Sequence, residues 1–431
     1  MAWRSPHRRR RARCFSLRGL TLSGSNQRSG NGPEPPARDI AAGFPVGSSI
    51  DLQSFSADPH PTFARMRKSE PVSWVPALDI FYVSRHADVA AILMDDATFL
   101  VGEENMLVYD TFGRHMMTVD GPEQRRYRAG FRGTFSPKVI RERLEAKVTT
   151  LVHGLIDGFA GRGAVELRAA FASRLPVQVM LAVFGLPAED EPLLRRWYDA
   201  FERSLSNYKW VPTIRAEGRE CVEQFKDHLR GRLAAPSSLP ADSLFAALTQ
   251  DASDGRLQDE EILQNALIIF FGGISTVEAI ILNVFHALAR HPSLFERLRA
   301  DPSILPRVIE ETARWSSPVQ AVTRYVVRDV ELHGIKISAG QLVNCMLGSA
   351  NRDDSVFANP DHFDIDRDDL GRHIAFATGP HLCLGSHLAR SEARIAITAL
   401  LERLPGLHVQ EVPEPEGYEF RQPAYLNLAW T

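Results

Sequence analysis

The sequence predicts a mainly α-helical (α+β) fold with small β-sheets, and three observations carry that prediction. Helical stretches punctuated by proline and glycine follow one another from about Phe55 onward. Strand-like runs are short and confined mainly to 80–85 and 322–346. One apolar stretch, Asp259 to about Arg290, reads as a single long central helix of roughly 45 Å. With 431 residues, 44% hydrophobic and 24% charged, the chain can bury a large core as one enzyme domain or two smaller ones. Neither a fibre nor a disordered chain fits.

Taken in order, DPHPTFARMRKSEPVSWV starts on proline and places Phe63 and Met66 on one helix side. IFYVSR (80–85) has strand propensity, and HADVAAILMD is the next helix. Further helical stretches are expected at 122–134, 137–159, 173–183 and 187–231, separated by Gly161-Arg162-Gly163, Leu186-Pro187 and the weakly structured 235–243. Alternation in Val322–Val327 and Leu342–Met346, broken at His333-Gly334 and Ala339-Gly340, predicts short antiparallel strands.

Charge and cysteine usage narrow the function class. Residues 1–30 hold eight arginines and no acid, leaving 42 basic against 53 acidic groups in the rest, a net charge of -11. A nucleic-acid enzyme would carry its basic surface on the folded part, so no nucleic-acid partner is expected. Residues 1–38 read as a disordered arginine-rich extension, without the apolar segment of a signal peptide. Cys14, Cys221, Cys345 and Cys383 stand far apart, which argues against a disulfide scaffold or a metal cluster and points to a reducing, cytoplasmic setting. The most apolar run, 266–274, soon meets Glu278 and is expected to fall short of a membrane span.

Two features of the central helix and its successor bear on function. Asp259 is expected to cap the helix, and Gly272 and Gly273 stand at its middle, followed by Ser275 and Thr276. A glycine pair permits either close helix packing or a planar ligand against the backbone, with Thr276 offering a hydroxyl. In ILPRVIEETARW, Glu311 and Arg314 share a face; alone, such a pair reads as a solvated ion pair.

The most specific segment is FATGPHLCLGSHLAR (376–390), in which Cys383 lies between Gly379 and Gly385 at the start of a helix. That helix has a buried stripe of Leu388, Ala389, Ala393, Ala396, Leu400 and Leu404. A cysteine beside backbone N–H groups freed by a glycine turn is an environment that holds a thiolate. With no second sulfur nearby, the cofactor has to accept one axial thiolate, which points to haem iron.

At these residues the chain resembles the cytochrome P-450 haem-thiolate monooxygenases of the soluble bacterial type. The family's haem loop matches at Phe376, Gly379, His381, Cys383 and Gly385, with Ala377 where a glycine is usual and alanine is expected to fit with little strain. The resemblance makes Glu311 and Arg314, completed by Arg367, a structural lock. It implies haem b (iron protoporphyrin IX) ligated by Cys383, its propionates held by Arg128, Arg324 and His381. Gln124 stands where many members have a further histidine, and Gly272, Gly273 and Ala389 complete the cofactor-binding set. Thr276 and Ser275 are the implied catalytic residues, Ser275 replacing the family's customary acid and holding water in its place.

The resemblance runs from about Asp51 to Trp430 and implies a single triangular haem domain over 39–431. The implied reaction inserts one oxygen atom from O2 into a mostly apolar small molecule by hydroxylation or epoxidation. A peroxide-driven oxidase or a haem-based ligand-binding protein is the alternative. The chain has no Gly-x-Gly-x-x-Gly fingerprint and no flavin segment, so NAD(P)H electrons are expected through a ferredoxin or flavodoxin and its reductase. Substrate contacts are expected from 101–117, Leu186–Trp210, Phe270–Gly273, Pro318–Val322 and Ala424–Leu426, including Leu107, Trp197, Trp210, Phe270 and Val319.

Overall fold

Apolar helices forming one large cluster dominate the computed structural model, which describes residues 43–102, 106–235, 239–253 and 257–431. The arginine-rich segment 1–38 lies outside the described residues. The first amphipathic helix is His60–Ser69, with Phe63 and Met66 fully buried as the spacing predicts. The stretch 187–231 separates into Glu191–Leu205 and Pro212–Leu233. Between them the Asn207 side chain bonds both the N–H and the carbonyl of Val211 (2.9 and 3.1 Å). Trp210 has φ 52°, so the chain turns sharply ahead of Pro212.

The long central helix is two helices, Asp259–Gly272 and Ser275–Arg290. Its cap is Gln258, in a reciprocal capping box with Glu261, and Asp259 is the first helical residue. The interruption falls at Gly273 and Ile274, whose ψ of -81° leaves the helical register. By length and composition Asp259–Arg290 could cross a membrane, contrary to the sequence expectation. In the fold, 78% of its most apolar window is buried inside the protein, so its apolarity serves the core.

Strands form a five-stranded sheet in the order Val72–Val75, Ile80–Val83, Leu342–Cys345, Val322–Val326, Phe99–Leu100. Val322–Val326 and Leu342–Cys345 pair antiparallel, from Val322 opposite Cys345 to Tyr325 opposite Leu342. Ile80–Val83 runs parallel to Leu342–Cys345. His333 and Gly334 both have positive φ and close a hairpin between Val330–Leu332 and Ile335–Ile337.

Glu311 and Arg314, on the helix Leu305–Trp315, have no exposed side-chain surface. Two Arg314 nitrogens donate to the two Glu311 oxygens at 2.7 Å each. Its remaining donors go to the carbonyls of Asn351, Pro360 and His362. Glu311 also accepts from Arg367 (3.1 Å) and from the Asp364 N–H (2.8 Å). A charged pair with every group satisfied tolerates burial, whereas removing one partner strands the other charge. Glu311→Gln or Arg314→Ala is therefore expected to cost about 3–5 kcal/mol. Thermal unfolding and the yield of folded protein measure that loss.

Candidate functional site

The loop 376–385 is shaped by contacts that fix its cysteine before any cofactor is considered. The Cys383 N–H donates to the Phe376 carbonyl (2.9 Å), closing the loop on itself. Gly379 has φ 75°, and a Cβ there would lie 2.3 Å from the Leu93 carbonyl oxygen, so both conformation and space demand glycine. Ala377, expected to fit with little strain, has φ 57°, a region that costs a non-glycine residue about 1 kcal/mol. Gly385 has φ -86° and open space where a Cβ would stand, so its contribution is room and not conformation. Arg390 lies over the Phe376 ring (4.1 Å) while holding Glu310 with two nitrogens (2.5 and 2.8 Å). His373 meets the same Glu310 (2.8 Å), so loop and helix Ser386–Arg403 are tied to one carboxylate.

Cys383 presents exposed surface at the head of that helix. Burial of the surrounding site pushes its thiol pKa up, opposed by the Gly385 N–H, Arg128, Arg390 and the Ser386 N–H. The sequence expectation of a thiolate is thus met by the donors but outweighed by desolvation in the protein alone. A metal cation on the sulfur reverses that balance, because a coordinating thiol is deprotonated.

Residues far apart in sequence converge on this loop. From the helix Gly121–Arg132, buried Gln124 donates to the Pro380 carbonyl (2.8 Å) and Arg128 donates to the Leu382 carbonyl. His381 Nε2 meets Asp120 (2.9 Å), a residue the motif reading did not single out. Arg324 is buried, donates to the Thr323 carbonyl (2.9 Å) and feels the Asp120 charge, while desolvation lowers its pKa. Arg128 and His381 therefore meet at the loop, Arg324 faces it through the charge of Asp120, and Gln124 supports the loop backbone. Ala389 lies in the buried stripe next to it.

The helix break supplies the other set of groups. Gly272 is exposed, with nothing within 4 Å of a Cβ position, although its helix runs through the core. Gly273 serves close packing, because a Cβ there would lie 2.8 Å from Met180 Sδ. The Thr276 hydroxyl donates to the Gly272 carbonyl (2.9 Å), and the Ser275 N–H donates to Tyr198 Oη (3.2 Å). Tyr198 Oη in turn donates to Glu202 (2.9 Å). Glu278, two residues past Thr276 and so on another face of the helix, pairs with Arg168 (2.5 Å). No spacing rule could have found Tyr198 and Glu202, since they reach Ser275 from a helix more than 70 residues earlier.

Two residues expected at the substrate belong to the core. Phe270 is fully buried among Phe184, Tyr198 and Phe225. Trp197 packs on Phe225 and His228 and donates its indole N–H to Gln224 (3.1 Å). Leu107, Trp210 and Val319 keep part of their surface open, and residues 103–105 of the expected pocket wall lie outside the described residues.

These residues fit a haem. Among the described residues no group of three or more His, Cys, Asp or Glu is arranged to hold a metal, so iron on Cys383 must bring its other ligands with it, as a porphyrin does. The open Gly272 backbone suits a flat ring, and the guanidinium groups of Arg128 and Arg324 with the His381 imidazole suit its two carboxylates.

The family model for cytochrome P450 matches residues 201–420. Cytochrome P450 monooxygenase PikC of Streptomyces venezuelae is 33% identical over 396 residues, 89% of this chain and 91% of its own length. Nocardicin C N-oxygenase of Nocardia uniformis subsp. tsuyamanensis is 31% identical, covering 90% of this chain and 98% of itself. Among solved structures, CalO2 superposes with a TM-score of 0.80 at 30% identity, over 88% of this chain and 98% of its own. P450BioI in complex with an acyl carrier protein ligated to hexadec-9Z-enoic acid gives 0.79 at 29%, over 88% and 99%. A lone thiol at a glycine-turned helix start, the buried Glu311–Arg314–Arg367 lock and relatives matched nearly end to end agree: the chain belongs to the cytochrome P450 family of haem b monooxygenases.

Proposed function

We propose that this cytochrome P450 inserts one oxygen atom of O2 into a C–H bond or alkene of a moderately large, mostly apolar molecule. The observation that carries the reading is the exposed Cys383 thiol, set among the Gly385 and Ser386 N–H groups, Arg128 and Arg390. For hydroxylation the balance is RH + O2 + NAD(P)H + H⁺ giving ROH + H2O + NAD(P)⁺. Electrons reach it through a ferredoxin or flavodoxin and its NAD(P)H-dependent reductase, as the missing dinucleotide fingerprint supports. Haem, when bound, would supply oxygen activation, which a thiolate ligand would favour by donating electron density.

The chain's own residues do the rest. Cys383 would ligate the iron, and Arg128, Arg324 and His381 would hold the propionates. Gln124, Phe376, Gly379 and Gly385 hold the loop that presents the thiol. Gly272 would leave room for the ring beside the helix, and Gly273 packs that helix on Met180. Thr276 gives its hydroxyl hydrogen to Gly272, which leaves its oxygen lone pairs free to accept from water and orient a proton donor. Substrate lies against the open surfaces of Leu107, Trp210 and Val319, whose apolar character excludes water. Residues 1–38 are dispensable for turnover, with 39–431 the haem domain.

Cys383→Ala is expected to abolish the long-wavelength ferrous-CO band of thiolate ligation, while changes at Cys14, Cys221 or Cys345 leave it intact; an unchanged band in the Cys383 variant removes the assignment. Thr276→Ala is expected to keep substrate-induced spectral shifts while diverting NADPH electrons to hydrogen peroxide. Product per NADPH checks this, and unchanged coupling would reduce Thr276 to a packing residue. Deletion of 1–38 is expected to leave haem content and turnover per haem at full-length values.

A further inference from the structure

The family's acid beside Thr276 is absent from this chain, and its place is taken by Ser275. A serine hydroxyl does not titrate in the working range, so it passes protons on without holding one in reserve. The structure nevertheless brings a carboxyl to Ser275 from another helix. Tyr198 and Glu202 stand four apart on Glu191–Leu205, hence on one face, and Tyr198 Oη donates to Glu202 Oε1 at 2.9 Å. The same phenolic oxygen accepts the Ser275 N–H at 3.2 Å. That N–H opens the second central helix and has no place in a helical ladder, so Tyr198 reaches Ser275 because the helix is broken at Gly273–Ile274.

Resting on the monooxygenase reading, we propose that Glu202 is the proton source for this P450, acting through Tyr198 and Ser275 in place of the missing acid. The Ser275 side chain faces both the phenol and the carboxyl, so Glu202 gives its proton to Tyr198 Oη as Tyr198 passes its own to the Ser275 hydroxyl, and from there to a water beside Thr276. One proton enters Glu202 from solvent for each that leaves at Ser275, so the relay ends each cycle unchanged. The two electrons still come from NAD(P)H, and the delivered protons leave in the water formed from the second oxygen atom of O2. Glu202 acts through Tyr198 and touches no reacting atom, which makes it a positioning residue for the proton.

The surroundings suit that work. Tyr198 is buried, stacked on Phe271 (5.5 Å between centroids, 22° between planes), so its hydroxyl is held in place. Glu202 keeps part of its surface open. Desolvation, and next the charge of Glu278, push the Glu202 pKa up to about 7. Tyr198, Ser275 and Arg168 act in the opposite sense, and Arg168 is partly neutralised by its pair with Glu278. The carboxyl therefore holds its proton below about pH 7 and loses it above.

Glu202→Gln in the holoenzyme is the test, because the amide keeps an oxygen for Tyr198 while losing the titration. Substrate binding and haem content are expected to stay, while product per NADPH falls several-fold near neutral pH and peroxide rises to match. Wild-type coupling should decline as pH rises through about 7, and the variant's profile should be flat. Independently of turnover, wild type minus variant infrared spectra should show a protonated-carboxyl band that fades with pH around the same point. Other buried acids, such as Glu392 and Glu419, cancel in that difference. Oxygen-dependent turnover in wild type with an identical coupling profile in Glu202→Gln overturns the relay alone, as does a difference spectrum without the titrating band. A wild type that makes product only from added peroxide overturns the monooxygenase reading and the relay with it.

Discussion

A fully buried arginine holds the backbone that leads to the cysteine loop of this P450. Arg314 has no contact with solvent, and its guanidinium is satisfied by one carboxylate and three backbone carbonyls. Those carbonyls, from Asn351, Pro360 and His362, belong to the irregular stretch that leads to the cysteine loop. Asn351 continues the connection, its side-chain oxygen accepting the Ile374 N–H at 2.7 Å. A segment without regular secondary structure has no ladder to hold it, so its shape is set by side chains reaching its backbone. The ion pair is thus a positioning device, and its value lies in what would be left unpaired without it.

The side carrying Thr276 follows a different rule. There a helix that could run unbroken is interrupted, with Gly273 pressed on Met180 and Ile274 out of register. The break frees a backbone N–H at Ser275 and lets the Thr276 hydroxyl reach the Gly272 carbonyl, so polar groups appear inside an apolar core. Such groups are tolerated only when partnered, and Tyr198 is the partner that the neighbouring helix provides. Packing, and not local propensity, therefore decides which side chains surround the Thr276 hydroxyl.

That difference explains what could be read from the sequence. The cysteine loop, the Glu311–Arg314 spacing and the stripe of Ser386–Arg403 are local patterns, and each appears in the fold where its spacing puts it. Helix ends and interruptions were less legible: 187–231 looked continuous because Asn207 and Trp210 act through their own turn geometry. Phe270 and Trp197 looked like ligand-facing aromatics because apolar composition does not separate a core face from a cavity face. Asp120, Tyr198 and Glu202 carried no signal, since their significance lies in contacts between segments whose relative placement only the tertiary fold supplies.

The two sides also differ in how freely sequence can vary without loss of chemistry. Around Cys383 the thiol must point one way, Gly379 has both its φ and its Cβ space fixed, and even Ala377 is accommodated only in a left-handed conformation. In the proposed relay the requirement near Thr276 is for a proton at one place, and any chain of hydroxyls and a carboxyl that ends there satisfies it. A serine at 275 is then no defect as long as another helix brings an acid within reach. Here Glu202 lies one phenol away, on the same helix that contributes the core aromatic Trp197. Changes in how that helix packs would move the acid as well as the packing contacts, so the proposed proton delivery on this side is tied to tertiary packing more closely than the proposed ligation at Cys383 is.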